Sequence, residues 1–272
     1  MERVVLITGA GSGIGLASAL EAAQLGFVTV AAVHRPEQQE DVRAAAASAG
    51  VDVVTDVLDV TDERRAREVI DRHRPWGLVN VAGALLVGLV TEVPPEEARA
   101  HLDLMVLAPA RLTRLALPHM RRRDGGRIVN VSSVAGTATG PVLGWYEAAK
   151  AALGALSDAM RPELARWGVE VVLIEPGAYA TPIWAKARDQ LGQRRVTSLE
   201  PDVYDRAIAL GDRVAANAGD PAEVADVVAA ALHAGHPRFR YRVGPGSSGL
   251  AAVSRVVPTS LKDRVTRAAG GL

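Results

Sequence analysis

The chain contains 272 residues with a formal net charge of zero at pH 7, and 49% of its residues are hydrophobic. This neutral balance gives no electrostatic reason to expect binding to nucleic acid or to a membrane surface. Because there is no cysteine, the sequence excludes disulfides, thiol catalysis and cysteine metal sites.

Strand-like and helix-like segments alternate along the chain. Apolar runs predict strands at 3–8, 27–33, 51–57, 76–81, 126–132, 169–175 and 239–244. Helical periodicity predicts helices at 14–25, 37–49, 62–73, 95–121, 145–167 and 221–234. This alternation is typical of an α/β fold. We therefore predict one domain over 1–272, with a doubly wound, seven-stranded parallel sheet and helices on both faces.

Two segments fall outside this alternation. Residues 198–220 are charged and less periodic. Folds of this kind carry a mobile lid at this place, so we expect one over 183–220. The tail 245–272 is Gly/Ser-rich and then amphipathic, so it could cap the pocket, contact a partner subunit or fray. No apolar run reaches the roughly 18–20 residues of a membrane-spanning helix, and a strand follows the N-terminus at once. We therefore expect a soluble, cytoplasmic protein without a signal peptide.

The first predicted strand ends in a glycine-rich turn that leads into a helix. Gly9, Gly13 and Gly15 form the pattern Gly-x-x-x-Gly-x-Gly, with Ser12 and Ile14 between them. Backbone N–H groups at such a helix start face an anion, so the turn predicts a pyrophosphate site. The general dinucleotide fingerprint, Gly-x-Gly-x-x-Gly, has a different spacing.

A tyrosine and a lysine stand four residues apart in a predicted helix. They are Tyr146 and Lys150, and Ser133 lies 13 residues before the tyrosine. Side chains four residues apart share a helix face, so the ammonium is expected beside the phenol. A nearby positive charge lowers a phenol pKa that is about 10 unperturbed. Such a tyrosine can exchange a proton with an alcohol or ketone.

Together these motifs resemble the short-chain dehydrogenase/reductase family in its classical type. The glycine spacing, the serine, the tyrosine and the lysine all match that family. Further matches are Asp59-Val60, Asn80-Val81-Ala82-Gly83, and Pro176-Gly177 followed by Thr181. The order and spacing of these separate motifs cover most of the chain. The resemblance implies a Rossmann fold and an oxidoreductase that interconverts a ketone and a secondary alcohol by hydride transfer.

The family's reaction centre implies a role for each of the three residues. Tyr146 is the acid/base, Ser133 hydrogen-bonds the same substrate oxygen, and Lys150 lowers the tyrosine pKa and binds the nicotinamide ribose. The neighbouring Ser132 is expected to bond only the backbone. No histidine has metal spacing, so we expect no metal site. Family members commonly assemble through the helices predicted at 95–121 and 145–167, which implies a homodimer or homotetramer.

The resemblance also implies which residues hold the nucleotide. Asp59 is expected at the adenine ring, although it could instead cap the helix that follows. Asn80 is expected to line the cofactor cleft while holding neighbouring strands together. The remaining expected contacts are Gly9, Ser12, Gly13, Ile14, Gly15, Val60, Ala82, Gly83, Tyr146, Lys150, Pro176, Gly177, Tyr179 and Thr181.

The end of the second predicted strand indicates which cofactor is preferred. An NAD-dependent enzyme usually has an acidic residue there, whereas this chain has His34 and Arg35, with no acid until Glu37. An arginine can pair with a 2′-phosphate, so we expect NADP(H), with Arg35 as phosphate ligand and His34 as accessory. Because Arg35 could also be an ordinary surface residue, and Ser12 is not basic, NAD(H) stays possible.

One departure from the family affects the choice of function. Met105 stands where the family commonly has a helix-kinking asparagine whose carbonyl holds a water that links the lysine to solvent. Methionine usually packs in the core, so the relay could survive or run slowly. The alternative function is therefore a protein of the same fold without net redox turnover: a dehydratase, a cyclase or a nucleotide-binding regulator. An extended-type epimerase is disfavoured by chain length and glycine spacing.

The expected pocket is apolar and suits a lipophilic small-molecule substrate. Three segments resemble the steroid- and retinol-dehydrogenase-like branch of the family: 144–146, 181–184 and 240–244. The residues expected to face the substrate are Leu85, Leu86, Val87, Val134, Ala135, Val142, Leu143, Trp145, Tyr179, Ile183 and Trp184.

Overall fold

The computed structural model describes residues 2–123, 125–137 and 140–244, with positions 260, 261, 263, 264 and 267 near the C-terminus. Its centre is a seven-stranded sheet in which every neighbouring pair is parallel, in the order β3-β2-β1-β4-β5-β6-β7. The strands are β1 Val4–Thr8, β2 Val28–Val33, β3 Val53–Val57, β4 Gly77–Asn80, β5 Gly126–Val131, β6 Val169–Pro176 and β7 Arg240–Val243. The predicted sheet is confirmed.

Helices connect successive strands and cover both faces of the sheet. They are α1 Gly13–Gln24, α2 Gln38–Ser48, α3 Glu63–His73, α4 Pro95–Leu102, α5 Ala108–Arg121, α6 Gly144–Ala165, α7 Ile183–Arg195, α8 Pro201–Ala216 and α9 Pro221–His233. A short 3-10 helix spans Val134–Thr137. None of the helices in the described ranges is long and apolar enough to cross a membrane.

Successive side chains along each strand point to opposite faces of the sheet, and this divides the core into two layers. Val5 and Ile7 of β1 pack on one face with α1 and α9, whereas Leu6 packs on the other face with α3 and α5. Strands that are buried on both faces are typical of parallel sheets, because helices cover each side. The core therefore fixes the carboxyl ends of β1, β4, β5 and β6 along one edge, where ligands of such folds bind.

The predicted helix 95–121 is wrong as a single helix. A π-helical segment, Asp103–Leu107, separates α4 from α5, and Met105 lies at its middle. A π-helical turn inserts an extra residue and occurs frequently at functional sites. The chain thus has a local distortion at the position where the family's asparagine would kink the helix.

The region predicted as a lid contains two helices that the sequence analysis missed. Helices α7 and α8 pack against each other, and the polar sequence of α7 has little amphipathic pattern. Movement of the lid stays a prediction. Most of the predicted tail 245–272 lies outside the described residues.

Candidate active site

Tyr146 and Ser133 meet where β5 ends and α6 begins. The Ser133 hydroxyl lies close enough to the Tyr146 hydroxyl to lower the pKa of the phenol. The Ser133 hydroxyl also donates to the Pro176 carbonyl at 3.4 Å and accepts from the Ala135 N–H at 3.2 Å. Since these contacts tie the serine to β6 and to its own loop, the structure holds it at one position beside the phenol.

Lys150 lies one helical turn after Tyr146 and is buried, with 6% of its surface exposed. Its Nζ donates to the Val131 carbonyl at 2.8 Å and stands 5.8 Å from the centroid of the Tyr146 ring. Burial lowers the pKa of Lys150 to about 8. The predicted trio of Ser133, Tyr146 and Lys150 is therefore brought together.

The pKa of Tyr146 moves in the direction opposite to the one predicted. Burial raises the pKa, the Ser133 hydrogen bond lowers it, and the neighbouring Glu147 carboxylate raises it again, so that the net shift is upward. Burial is the largest of these contributions. In this state Tyr146 is held as a phenol, which is the form that donates a proton.

Ser132 has the structural role that its position predicts. Its hydroxyl donates to the Lys150 carbonyl at 3.0 Å, so it ties the end of β5 to α6. Ser133, by contrast, is the serine that contacts Tyr146. The 13-residue spacing therefore selects the serine that lies at the phenol.

The glycine turn forms one wall of a cleft of about 190 Å³. Gly9 has φ of 67°, and a Cβ there would stand 2.7 Å from the Cα of Ala82. Gly13 has φ of 54°, and a Cβ there would stand 2.7 Å from Thr181 Cγ2. Only glycine fits such positions readily. The predicted contacts that line the cleft are Gly9, Ser12, Gly13, Ile14, Gly15, Ala82, Gly83 and Thr181.

This cleft fits the diphosphate part of a dinucleotide. The chain turns at Gly9 and Gly13 and then enters α1, so the helix begins beside the open space. Unpaired N–H groups and the positive end of the helix dipole favour an anion there. The residues present therefore suit the nicotinamide dinucleotide that the fold implies.

Helix α7 brings Lys186 and Gln190 to the same cleft, and the sequence analysis missed both. Among the described residues that line the cleft, Lys186 is the one charged side chain. Gln190 Nε2 donates to the Leu85 carbonyl at 3.3 Å, and its Oε1 accepts from the Val87 N–H at 3.4 Å. Recognising a helix directly after Thr181 would have placed Lys186 one turn into it.

Asp59, the residue expected at the adenine ring, lies just after β3. Asp59 accepts hydrogen bonds from the N–H and hydroxyl of Thr61. Burial raises its pKa, but these bonds and the nearby His34 hold the pKa below its ordinary value. The cap of α3 is Asp62, which accepts from the Arg65 N–H, so the alternative helix-cap role of Asp59 is wrong.

The side chains of His34 and Arg35 are exposed just after β2. Gln38, which the sequence analysis did not select, lies between this segment and the glycine turn. Its Oε1 accepts from the Arg35 N–H at 3.0 Å, and its amide packs against Gly11. Gln38 therefore borders the place where the adenosine ribose is expected.

Other predicted contacts have structural partners. Asn80 is buried and donates to Asn130 Oδ1 at 2.8 Å, so it joins β4 to β5 as expected, but it does not line the cleft.

Tyr179 is also buried, and its hydroxyl donates to Glu223 at 3.1 Å, so its ring lies away from the cleft. The Gly177 N–H donates to Val243 at 2.9 Å, and Val60 packs in the core. Pro176 acts through its carbonyl, as described above.

A second cavity, of about 340 Å³, lies against α7 and α8 and is predominantly apolar. Leu85 lines both this cavity and the cleft. Of the residues predicted to face the substrate, those that line it are Leu85, Val87, Val142, Leu143 and Trp184. Leu86 and Trp145 instead pack together in a separate cluster.

Met105 packs below the loop that follows β4. It is fully buried, and its sulfur accepts from the Ala84 N–H at 3.4 Å. A Cβ at Gly83 would stand 2.9 Å from the same sulfur. Methionine fits such irregular gaps, so Met105 supports the floor of the cleft as a packing residue.

Comparisons with known proteins agree with this geometry. The family model described as short chain dehydrogenase matches residues 3–192. "Uncharacterized oxidoreductase YusZ" of Bacillus subtilis is 33% identical over 253 residues, which cover 90% of each chain. "NADPH-dependent 3-dehydrocapnine reductase" of Ornithobacterium rhinotracheale is 31% identical, covering 97% of this chain and 95% of the relative. Mouse "Retinol dehydrogenase 5" is 30% identical, covering 97% and 87%.

A solved structure shows the same likeness over nearly the whole chain. The short-chain dehydrogenase from Streptomyces avermitilis is 30% identical and superposes with a TM-score of 0.78. The match covers 98% of this chain and 96% of that one. The chain therefore belongs to the short-chain dehydrogenase family, and it is an oxidoreductase.

Proposed function

We propose that the protein is an NADP(H)-dependent oxidoreductase that interconverts a lipophilic ketone and its secondary alcohol, with Tyr146 as the acid/base. One observation carries this proposal. Tyr146 and Ser133 lie beside each other where β5 ends and α6 begins, and Leu85 lines both the cleft and the apolar cavity. Val142 and Leu143, which line the cavity, directly precede the helix that carries Tyr146.

In the reductive direction, the substrate carbonyl oxygen accepts a proton from the Tyr146 hydroxyl. Ser133 hydrogen-bonds the same oxygen and so fixes its distance from the phenol. The bound dinucleotide supplies the hydride. As Tyr146 gives up its proton, the Lys150 ammonium beside the ring stabilises the phenolate. Since burial raises the pKa of Tyr146, the side chain is a phenol before the reaction, which is the form that donates a proton to the ketone.

The end of β2 supports a preference for NADP(H). His34 and Arg35 are exposed there, at the carboxyl edge of the sheet where a ribose 2′-phosphate would arrive. A guanidinium can hold a phosphate with two charge-assisted hydrogen bonds. The NADPH-dependent relative is consistent with this preference. NAD(H) is the alternative cofactor.

Lys186 is the proposed partner of the cofactor's pyrophosphate. It lines the cleft together with the glycine turn, and its ammonium can offer three donors to the phosphate oxygens. Because α7 also lines the apolar cavity with Trp184, Ala187 and Leu191, the same helix borders both the cofactor and the substrate.

The apolar cavity supports a lipophilic substrate. Its volume of about 340 Å³ falls within the range usual for small-molecule sites, and it is lined mainly by aliphatic side chains. Burying apolar area stabilises a ligand by about 25 cal/mol per Å². A substrate with an extended apolar part should therefore bind better than a short polar one.

We also propose a homodimer or homotetramer that assembles near α5 and α6. Leu107, at the end of the π-helical segment, is 54% exposed, and Leu156 of α6 is 36% exposed. The π-helical segment and α6 contact each other, so the two leucines lie on adjoining elements that a second subunit could cover together. Light scattering on the purified protein would contradict this proposal if it showed a monomer.

Cofactor oxidation by the purified protein tests the proposed function. A ketone series of increasing apolar length is offered with NADPH and, separately, with NADH. We expect NADPH to be consumed together with the ketone, with kcat/KM rising along the series. Tight NADPH binding without consumption of any ketone would favour the alternative, a protein of this fold without redox turnover.

A further inference from the structure

The apolar cavity also carries charge, and this charge is contributed by α7 and α8. Among the described residues that line the cavity, the charged ones are Arg188, Arg206 and Asp212. Arg188 and Asp212 form an ion pair that joins the two helices, so their charges neutralise each other. The described lining therefore holds one positive charge in excess, and that charge belongs to Arg206.

The acidic residues that stand near Arg206 on α8 act on a different arginine. Asp205 accepts a hydrogen bond from Arg195 of α7 at 2.8 Å. This hydrogen bond raises the pKa of Arg195, and the charge of Asp202 adds to the rise. Both carboxylates thus stabilise the positive charge at the end of α7, whereas the positive charge of Arg206 lies at the cavity.

The cavity has a buried end and an open end. Val142 and Val203, which line it, are buried, and Val142 lies just before the helix that carries Tyr146. Arg206 and Leu210 line the same cavity from neighbouring turns of α8, and both are exposed. A ligand whose carbonyl group lies at Tyr146 therefore extends along apolar side chains and reaches solvent beside the Arg206 guanidinium.

We propose that the substrate carries a negatively charged group at the far end of its apolar part, and that this group binds Arg206. This inference rests on the proposed function, because it names the substrate class of the same site. A guanidinium presents paired N–H donors that match a carboxylate in both geometry and charge. The substrate class is thus an aliphatic oxo acid, with the ketone at the buried end and the carboxylate at the open end.

The carboxylate takes no part in the reduction and keeps its charge throughout. Its contact with Arg206 is exposed, so water and salt screen the attraction and the contact contributes modestly to affinity. Raising the salt concentration from about 0.1 M to about 1 M shortens the screening length from about 10 Å to about 3 Å. Salt should therefore weaken the binding of an oxo acid, while the binding of its uncharged ester should not weaken.

The pair 9-oxodecanoate and its methyl ester tests the proposal, because the two compounds share a ketone and a chain but differ in charge. We expect kcat/KM of the wild-type protein to be about fivefold to tenfold higher for the acid, mainly through a lower KM. Arg206→Met keeps an unbranched side chain without charge and should abolish this preference, whereas Arg206→Lys should keep part of it.

Arg213→Met is the matched control, since Arg213 is an exposed arginine of the same helix that is not among the described residues lining the cavity. It should keep the preference for the acid. Equal kcat/KM for acid and ester in the wild-type protein would overturn the proposal. An unchanged preference in Arg206→Met, or the same loss in Arg213→Met, would also overturn it.

Binding of decanoate, which has no ketone, separates this inference from the proposed function. Calorimetry on NADPH-saturated protein should give a Kd about fivefold to tenfold higher in Arg206→Met than in the wild-type protein, with a smaller difference at high salt. If decanoate binding depends on Arg206 but no ketone is reduced, the proposed function fails while the anion site stands. If acid and ester are reduced equally well, the anion site fails while the proposed function stands.

Discussion

The hydroxyl of Tyr204 on α8 donates a 2.6 Å hydrogen bond to the carboxylate of Glu92, in the loop between β4 and α4. The same carboxylate accepts from Ser198 at 2.8 Å, and the Tyr204 oxygen accepts from the Leu89 N–H at 3.1 Å. These bonds fasten α8, which lines the apolar cavity, to the loop after the cleft.

Loosening this attachment should affect substrate binding more than chemistry. In Tyr204→Phe, the Glu92 carboxylate and the Leu89 N–H each lose a partner, which costs about 1–3 kcal/mol for a buried group. We expect KM for a lipophilic ketone to rise about threefold to tenfold while kcat stays within twofold. Steady-state kinetics measures both values. Tyr241→Phe, which removes a hydroxyl that bonds the Arg238 N–H, is the control; equal effects in both variants would contradict the assignment.

The two adjacent serines should separate catalysis from stability. Ser133→Ala removes the hydroxyl beside Tyr146 that is proposed to bond the substrate oxygen, so kcat should fall by about tenfold to a hundredfold. Ser132→Ala removes a buried bond to the Lys150 carbonyl, so it should lower the free energy of unfolding by about 1 kcal/mol. Kinetics and denaturant unfolding on both variants check this. A greater kcat loss in Ser132→Ala would mean that the spacing selects the wrong serine.

Replacing Lys186 should weaken dinucleotide binding through the pyrophosphate. We expect Lys186→Met to raise the Kd for NADPH about tenfold, and Lys186→Arg to stay near the wild-type value. Fluorescence titration measures the Kd. Arg213→Met, which removes an exposed cation of α8, is the charge-matched control.

A nucleotide fragment sharpens this test. Adenosine 2′-monophosphate carries the 2′-phosphate but neither phosphate of the pyrophosphate bridge. Its affinity should therefore be similar in Lys186→Met and in the wild-type protein. If Lys186→Met weakens the fragment and NADPH equally, the lysine acts through general charge and not at the pyrophosphate.

Glu147 should make the protein less stable as the pH rises. This buried carboxyl accepts from the Gly140 N–H, and burial raises its pKa to about 7 from an ordinary 4.5. Between these values the folded state binds more protons than the unfolded state, so its stabilising effect is present below pH 4.5 and lost as the pH rises towards 7. The loss amounts to about 2–3 kcal/mol.

Glu147→Gln removes this titration. The free energy of unfolding of Glu147→Gln, measured by denaturant at pH 5 and pH 8, should therefore fall less between these values than that of the wild-type protein. Parallel behaviour of the two proteins would show that Glu147 is ionised throughout this range.

Much of the fold and of the site could be predicted from local sequence signals. The strand ending at Thr8 and the glycine turn after it locate the cleft, because both depend on residues that are neighbours in the chain. The proximity of Ser133 to Tyr146 could also be predicted, since the serine follows β5 and the tyrosine opens α6 shortly afterwards in the chain.

The features that the sequence analysis missed depend on contacts between distant segments. Lys186 reaches the glycine turn because α7 folds back over it, although the two are more than a hundred residues apart. The π-helical segment around Met105 contacts α4, α5 and α6, and periodicity alone does not reveal it. Likewise, the raised pKa of Tyr146 depends on tertiary burial, whereas spacing predicts only that a lysine is near.

The central claim is that Tyr146 exchanges the proton during hydride transfer. The most direct measurement compares single-turnover NADPH oxidation by the wild-type protein and by Tyr146→Phe, with a lipophilic ketone and with the Kd for NADPH determined for both. The proposed mechanism predicts similar NADPH affinity and a rate at least about a hundredfold lower in Tyr146→Phe. A rate in Tyr146→Phe within a few fold of the wild-type rate would contradict the assignment of Tyr146 as the acid/base.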